Sequence, residues 1–213
     1  RLGPVEGDFS REIGLAVRDD AAAFRSPSGD LMVSSVDAFR AFFDDPYLVG
    51  RVSAVNALSD IYATGAIPER ALALVTLPKE RTEEDSGEML FQVLAGARAV
   101  FDSLGVSLLG GHTTLGPELF VGFSVDGSAK EGALLSLDRL AVGDRIILTK
   151  RLGTGVVLNA DMKGRVTGPW LQSAIATMIG SNAAAACVAS DLGSRAATDV
   201  TGFGLIGHLA EML

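Results

Sequence analysis

The hydrophobic positions follow two periods along the chain, and the switches between them mark out the elements. In residues 44–66, Val52, Val55, Leu58 and Tyr62 recur at three- and four-residue steps, which predicts a helix with one buried stripe. Asp45 suits its N-cap, Pro46 its first helical position and Gly65 the left-handed residue past its end. Asn56 and Asp60 are four apart and share a face, bordered by Ser53, Ala57 and Ala63, so something bulky could approach it. A carboxylate and an amide on such a face suit a hard cation, and equally a solvated pair on a surface helix.

Upstream, residues 13–17 form a short strand candidate and residues 31–37 a second, after the turn at 26–30. Asp20 and Asp37 then sit near strand ends or on adjoining loops, where a lone Asp is ordinarily a turn-former or an exposed charge. Residues 71–77 are a continuous apolar run stopped by Pro78, which favours a strand buried on both faces. Residues 82–104 read as an amphipathic helix with Leu90, Leu94, Phe101 and Leu104 on the core side and Gly105 at its end. Glu83, Glu84 and Asp85 suit the dipole at its start.

Residues 106–109 read as a strand running into Gly110, Gly111, His112 and Thr113. A Gly-Gly turn there would let backbone N–H groups approach an anion, with His112 and Thr113 as further donors; a plain tight turn fits as well. Residues 118–125 alternate like a half-buried strand. A connector at 134–143 suggests two domains, 1–141 and 142–213. In the second, residues 145–149 read as a strand, and Gly153 opens a helix to about Met162 without the Gly-Lys-Ser/Thr ending of a Walker A loop. One long helix is expected from Pro169 to Gly193, carrying Cys187 as a packed small hydrophobe. A strand end at Asp199 then meets a Gly-rich turn opening a last helix, an arrangement that can bind a metal at Asp199 and an anion near the helix N-terminus. His208, on that helix, reads as structural or capping.

Composition narrows the classes. The 213 residues are 48% hydrophobic, enough for a sizeable core. A net charge of −8 disfavours nucleic acid and bare polyphosphate, so a phosphate substrate would need bridging cations held by clustered carboxylates. The single cysteine excludes an intrachain disulfide and fits a reducing, cytoplasmic setting. No stretch is apolar enough for a signal peptide or a membrane span. The sequence starts without Met and stops inside an apolar helical pattern, so it reads as a fragment of a longer protein.

Taken together, Arg18-Asp19-Asp20-Ala-Ala, the strand-terminal Asp37, Asn56-Ala-Leu-Ser-Asp60-Ile-Tyr-Ala-Thr-Gly, Gly110-Gly111-His112-Thr113 and Thr198-Asp199-Val-Thr-Gly-Phe-Gly resemble, in order and spacing, the selenophosphate synthetases (selenide, water dikinases) of the aminoimidazole ribonucleotide synthetase (PurM-like) superfamily. The resemblance covers nearly the whole chain. It implies an α+β, PurM-like architecture: an N-terminal mixed sheet with helices that dimerises into a shared barrel, then a truncated C-terminal α/β domain. The implied activity is ATP-dependent phosphorylation of selenide to selenophosphate, with AMP and phosphate released, in a homodimer without nucleic acid or a membrane span. It further implies magnesium at Asp20, Asp60 and Asp199, and ATP lined by Val17, Arg18, Asp19, Asp37 and Asp60. Gly110, Gly111, His112 and Thr113 would reach ATP bound mainly by the partner subunit.

The family also carries a Cys or selenocysteine and a nearby Lys ahead of the Arg-Asp-Asp motif, and residues 1–17 contain neither. This stretch alone is therefore expected to be inactive, with no catalytic residue of its own. The Ala-rich character and the Gly-His-Thr-Thr form are most similar to versions fused behind a flavin-type oxidoreductase domain. Two other readings stay open: another superfamily kinase of the thiamine-monophosphate kinase type, or a non-catalytic nucleotide-binding and dimerisation module of a larger fusion.

Overall fold

Two helices lie against one face of a six-stranded sheet in the computed structural model, which describes residues 11–13 and 19–213. Residues 14–17 of the expected first strand, and the Val17 and Arg18 assignments, lie outside the described residues. The strands are β1 (Arg11–Ile13), β2 (Ala22–Arg25), β3 (Leu31–Arg40), β4 (Ile67–Pro78), β5 (Ser107–Gly116) and β6 (Phe120–Ser128). They run in the order β1-β2-β3-β6-β4-β5, with only β4 and β5 parallel. Helix α2 (Glu83–Ser103) makes the crossover that parallel pairing needs.

Helix α1 (Pro46–Ala63) keeps the expected caps: the Asp45 side chain accepts from Leu48 N at 3.0 Å, and Gly65 adopts φ 75°. Val52, Val55, Leu58 and Tyr62 are buried, as their spacing predicts. Ser53, Ala57 and Ala63 are buried too, so this border is not open to a bulky group. One cause is the close crossing of α1 and α2: a Cβ on Gly50 would fall 2.0 Å from the Val93 carbonyl oxygen, and one on Gly96 would fall 2.0 Å from that of Tyr47. Thr82 caps α2, and Phe101 meets Phe123 of β6 edge to face at 5.1 Å, joining helix to sheet.

Several expectations are corrected. β4 is not buried on both faces: Ala71, Ala73, Val75 and Leu77 are buried, whereas Leu72 and Leu74 are 50% and 41% exposed. Helices cover one face only, so a run apolar on both sides leaves half its side chains outside. Register puts Val36, Leu72 and Leu74 on that open face, since Val36 and Leu72 both pair Ser124 and Leu74 pairs Gly122 beside it. Gly110, Gly111, His112 and Thr113 are not a turn; they lie within β5, paired to Leu72, Ala73, Leu74 and Val75.

After β6 the described residues form no strand. Residues 145–149 are irregular, with Ile146 and Ile147 exposed, because no neighbouring strand is there to take up their backbone groups. Asp199 likewise lies in an irregular stretch rather than at a strand end. The segment is helical: α3 (Thr154–Asp161), α4 (Gly168–Ile179), α5 (Ala183–Asp191) and α6 (Gly204–Met212). The single helix expected from Pro169 to Gly193 is two, bent 51° at residues 180–182. Gly180 is extended there, and the Ser181 hydroxyl accepts from Ala183 N at 3.0 Å, the capping interaction that competes with helix continuation. Cys187 is exposed rather than packed, its Sγ 3.8 Å from Asp191 Oδ2. Among the described residues no single helix is long and apolar enough to cross a membrane, and α4 and α5 reach that length only together across their bend.

Candidate functional site

The site forms where the helix-side face of β3 meets α1 and the loop before α6. Ser35 and Asp37 are two apart on β3 and therefore point to the same side. The Ser35 hydroxyl donates to Asp60 Oδ2 at 2.5 Å, with the Asp20 carbonyl oxygen 3.3 Å away as its alternative acceptor. Asn56, one turn before Asp60, donates its amide to Asp37 Oδ2, while Asp37 Oδ1 accepts from Ala38 N at 2.7 Å. The expected Asn56–Asp60 face thus looks onto β3 rather than into solvent.

Asp199 reaches the same place from the far end of the chain. Its neighbour Thr198 donates to Asp20 Oδ1 at 3.4 Å. The loop is held by His208, buried on α6, whose Nε2 accepts from Thr201 N at 3.1 Å, the structural role read from sequence. Asp19 Oδ2 accepts from the Ser136 hydroxyl at 2.6 Å and from Leu137 N at 3.1 Å, which fastens the chain after β6.

Electrostatics reports the convergence. Burial, and next the charge of Asp199, raise Asp20 from the usual 3.8 to about 7. Burial and Asp199 raise Asp60 to about 8, with Asp37 and Asp20 adding to it and the Ser35 hydrogen bond opposing. Burial and Asp37 raise Asp199 to about 6. Carboxylates perturbed together by desolvation and by one another mark a functional site more often than a structural one.

The group that fits them is a hard divalent cation. Asp20 Oδ2 is buried with no hydrogen-bond partner, and the cluster offers carboxylate oxygens, the donors such ions take. Among the described residues no three carboxylate, imidazole or thiol groups stand close enough to hold a metal by themselves. Magnesium commonly takes one or two carboxylates and completes its shell with water and substrate phosphate.

Sequence reasoning found Asp20, Asp37, Asp60 and Asp199 but missed the groups that support them. Ser35 was legible from its even spacing to Asp37. Lys150 had no local signal: it is half-buried, donates to the Gly180 carbonyl, and feels the charge of Asp199 from 49 residues away in sequence. Gly110–Thr113 are not brought to the cluster within one chain. They lie on edge strand β5, separated from β3 by β6 and β4, roughly 14 Å at ordinary strand spacing.

Residues 18–129 match the family model of the AIR synthase related protein, N-terminal domain. The selenide, water dikinase of Pelobacter propionicus is 39% identical over 201 residues, which cover 94% of this chain and 57% of that protein. The enzyme of the same name from Aeromonas hydrophila subsp. hydrophila is 40% identical over 209 residues, 98% of this chain and 60% of that one. The chain thus spans less than two thirds of these relatives. A solved structure described as AaThiL complexed with AMPPCP and TMP superimposes with a TM-score of 0.75 at 18% identity, over 91% of this chain and 64% of that one, a likeness of fold.

Proposed function

The chain belongs to the AIR synthase related protein family, and from that membership we propose that it carries the nucleotide-binding centre of a selenide, water dikinase, which converts ATP, selenide and water into selenophosphate, AMP and phosphate. The observation that carries this reading is the convergence of Asp20, Asp60 and Asp199 into one cluster of carboxylates with raised pKa values. Selenide as acceptor rests on the name of the two relatives at 39% and 40% identity. An ATP substrate accords with AMPPCP in the complex of similar fold.

In this reading Asp20, Asp60 and Asp199 hold magnesium, which when bound neutralises polyphosphate charge and lets an acidic pocket accept it. The chain's own residues prepare for that. Ser35 aims Asp60 and favours its ionised form; Asn56 and Ala38 N fix Asp37; Asp19 pins Ser136 and Leu137 beside the cluster. A bound cation would favour the ionised form of these carboxylates and displace the protons they hold near neutral pH. Val17, Arg18 and Asp37 line the nucleotide, and residues 142–213 belong to a second domain that contributes Asp199.

The protein acts as a homodimer. Val36, Leu72 and Leu74 lie exposed on one face of the sheet, and β5 leaves an unpaired edge; both call for cover. His112, paired with Leu74, shares that face; on the family resemblance, Gly110, Gly111, His112 and Thr113 are proposed to reach the nucleotide bound mainly by the partner subunit. Selenide as acceptor rests on the relatives' names alone, so the alternative reading is a nucleotide-binding module without selenide chemistry. Phosphorus NMR of the full-length protein with ATP, magnesium and selenide separates the two. A selenophosphate resonance growing together with AMP is expected; ATP bound but left intact would indicate the module.

A further inference from the structure

The segment after β6 is tied to α1 at one place. Asn182, at the bend between α4 and α5, donates to the Ser59 hydroxyl at 3.0 Å, and Ser181 acts on the Tyr62 hydroxyl, opposing the rise that burial causes in its pKa. Ser59 and Tyr62 flank Asp60 in sequence. Lys150 closes the same joint from the other side by donating to the Gly180 carbonyl. Lys150 thus belongs to the joint that packs on the stretch of α1 carrying Asp60, and the charge of Asp199 acts on it.

An ammonium is an unusual fastener for a carbonyl. It has three donors, and among the described residues Lys150 meets one acceptor and no carboxylate within ion-pair distance. Burial lowers its pKa, only partly offset by Asp199. A neutral amide would hold Gly180 without the desolvation cost of a charge. The arrangement makes sense if an anion comes to the ammonium in the working protein.

We propose that Lys150 is a ligand of the nucleotide polyphosphate: it keeps one donor on Gly180 and turns the others to phosphate oxygens that Asp20, Asp60 and Asp199 receive through cations. This rests on the reading of the cluster as a magnesium-nucleotide site. Lys150 then joins the bend between α4 and α5 to the ligand, so that nucleotide binding tightens the contact of residues 142–213 with α1.

Calorimetric titration of the full-length protein with adenosine, ADP and ATP, in saturating magnesium, tests it alongside the unliganded melting temperature. Lys150→Gln keeps a donor for Gly180 and removes the charge; Lys150→Arg keeps the charge. The Gln variant should melt near the wild type, bind adenosine unchanged and lose roughly tenfold to a hundredfold for ATP, less for ADP, with Arg restoring most of the loss. Unchanged ATP affinity in the Gln variant, or an equal loss for all three ligands with a lowered melting temperature, would overturn the assignment and leave the site reading standing. A wild type that binds no magnesium-ATP would overturn both.

Discussion

Ser35 Oγ donates to Asp60 Oδ2 at 2.5 Å, a contact that joins the helix-side face of β3 to the middle of α1. Among the described residues it is the one interaction of Asp60 that favours its charged form, against burial and the charges of Asp199, Asp37 and Asp20. Ser35→Ala should therefore raise the Asp60 pKa further above about 8 and weaken magnesium binding at neutral pH. Carboxyl-carbon NMR titration reads the first effect and magnesium calorimetry the second. A titration curve indistinguishable from wild type would mean the hydroxyl does not govern Asp60.

Stability should depend on pH in an inverted sense for acidic residues. Asp20, Asp60 and Asp199 titrate near 7, 8 and 6 in the folded chain against 3.8 ordinarily, so the folded state binds protons more tightly. Their stabilising contribution is complete below about pH 4 and is lost as pH rises through about 6 to 8. Without divalent cations the melting temperature should fall between pH 5.5 and 8.5, and magnesium should flatten the slope. Asp60→Asn should melt higher than wild type at pH 8 in chelator. A flat profile in chelator would show that burial and mutual repulsion do not raise these carboxylates.

The exposed face of the sheet should be where two copies meet. Leu74→Glu puts a charge among Val36, Leu72 and Leu74 without touching the helix-side core. Light scattering should show a dimer for wild type and a monomer for the variant at micromolar concentration. Equal masses would exclude this face from the interface.

Gly96→Ala tests the helix crossing. The new Cβ would meet the Tyr47 carbonyl oxygen at 2.0 Å, backbone that can move only with α1. Overpacking of this kind costs about 1–3 kcal/mol, measurable by denaturant unfolding. Stability equal to wild type would mean that α1 and α2 part freely.

Local signals were legible where local physics decides. Asp45, Pro46 and Gly65 set the ends of α1, and Thr82 with the acidic turn set the start of α2. The failures were non-local. Nothing in the run from Ala71 to Leu77 says that helices cover one face of the sheet only, and nothing in Gly110–Thr113 says that β4 will pair with it as a strand. Residues 145–149 have strand-like composition and no partner strand. The carboxylates were legible as a constellation through their order and spacing, whereas Lys150 belongs to the site only because the bend at Gly180 packs on α1.

The central claim is that the cluster of Asp20, Asp60 and Asp199 becomes a nucleotide site through magnesium. Calorimetric titration of ATP into the wild type and Asp60→Ala, each with and without magnesium, tests it most directly. Binding to the wild type should require magnesium, and binding in magnesium should fall at least tenfold in Asp60→Ala. ATP binding that is equally tight in chelator, or unchanged by Asp60→Ala, would contradict it.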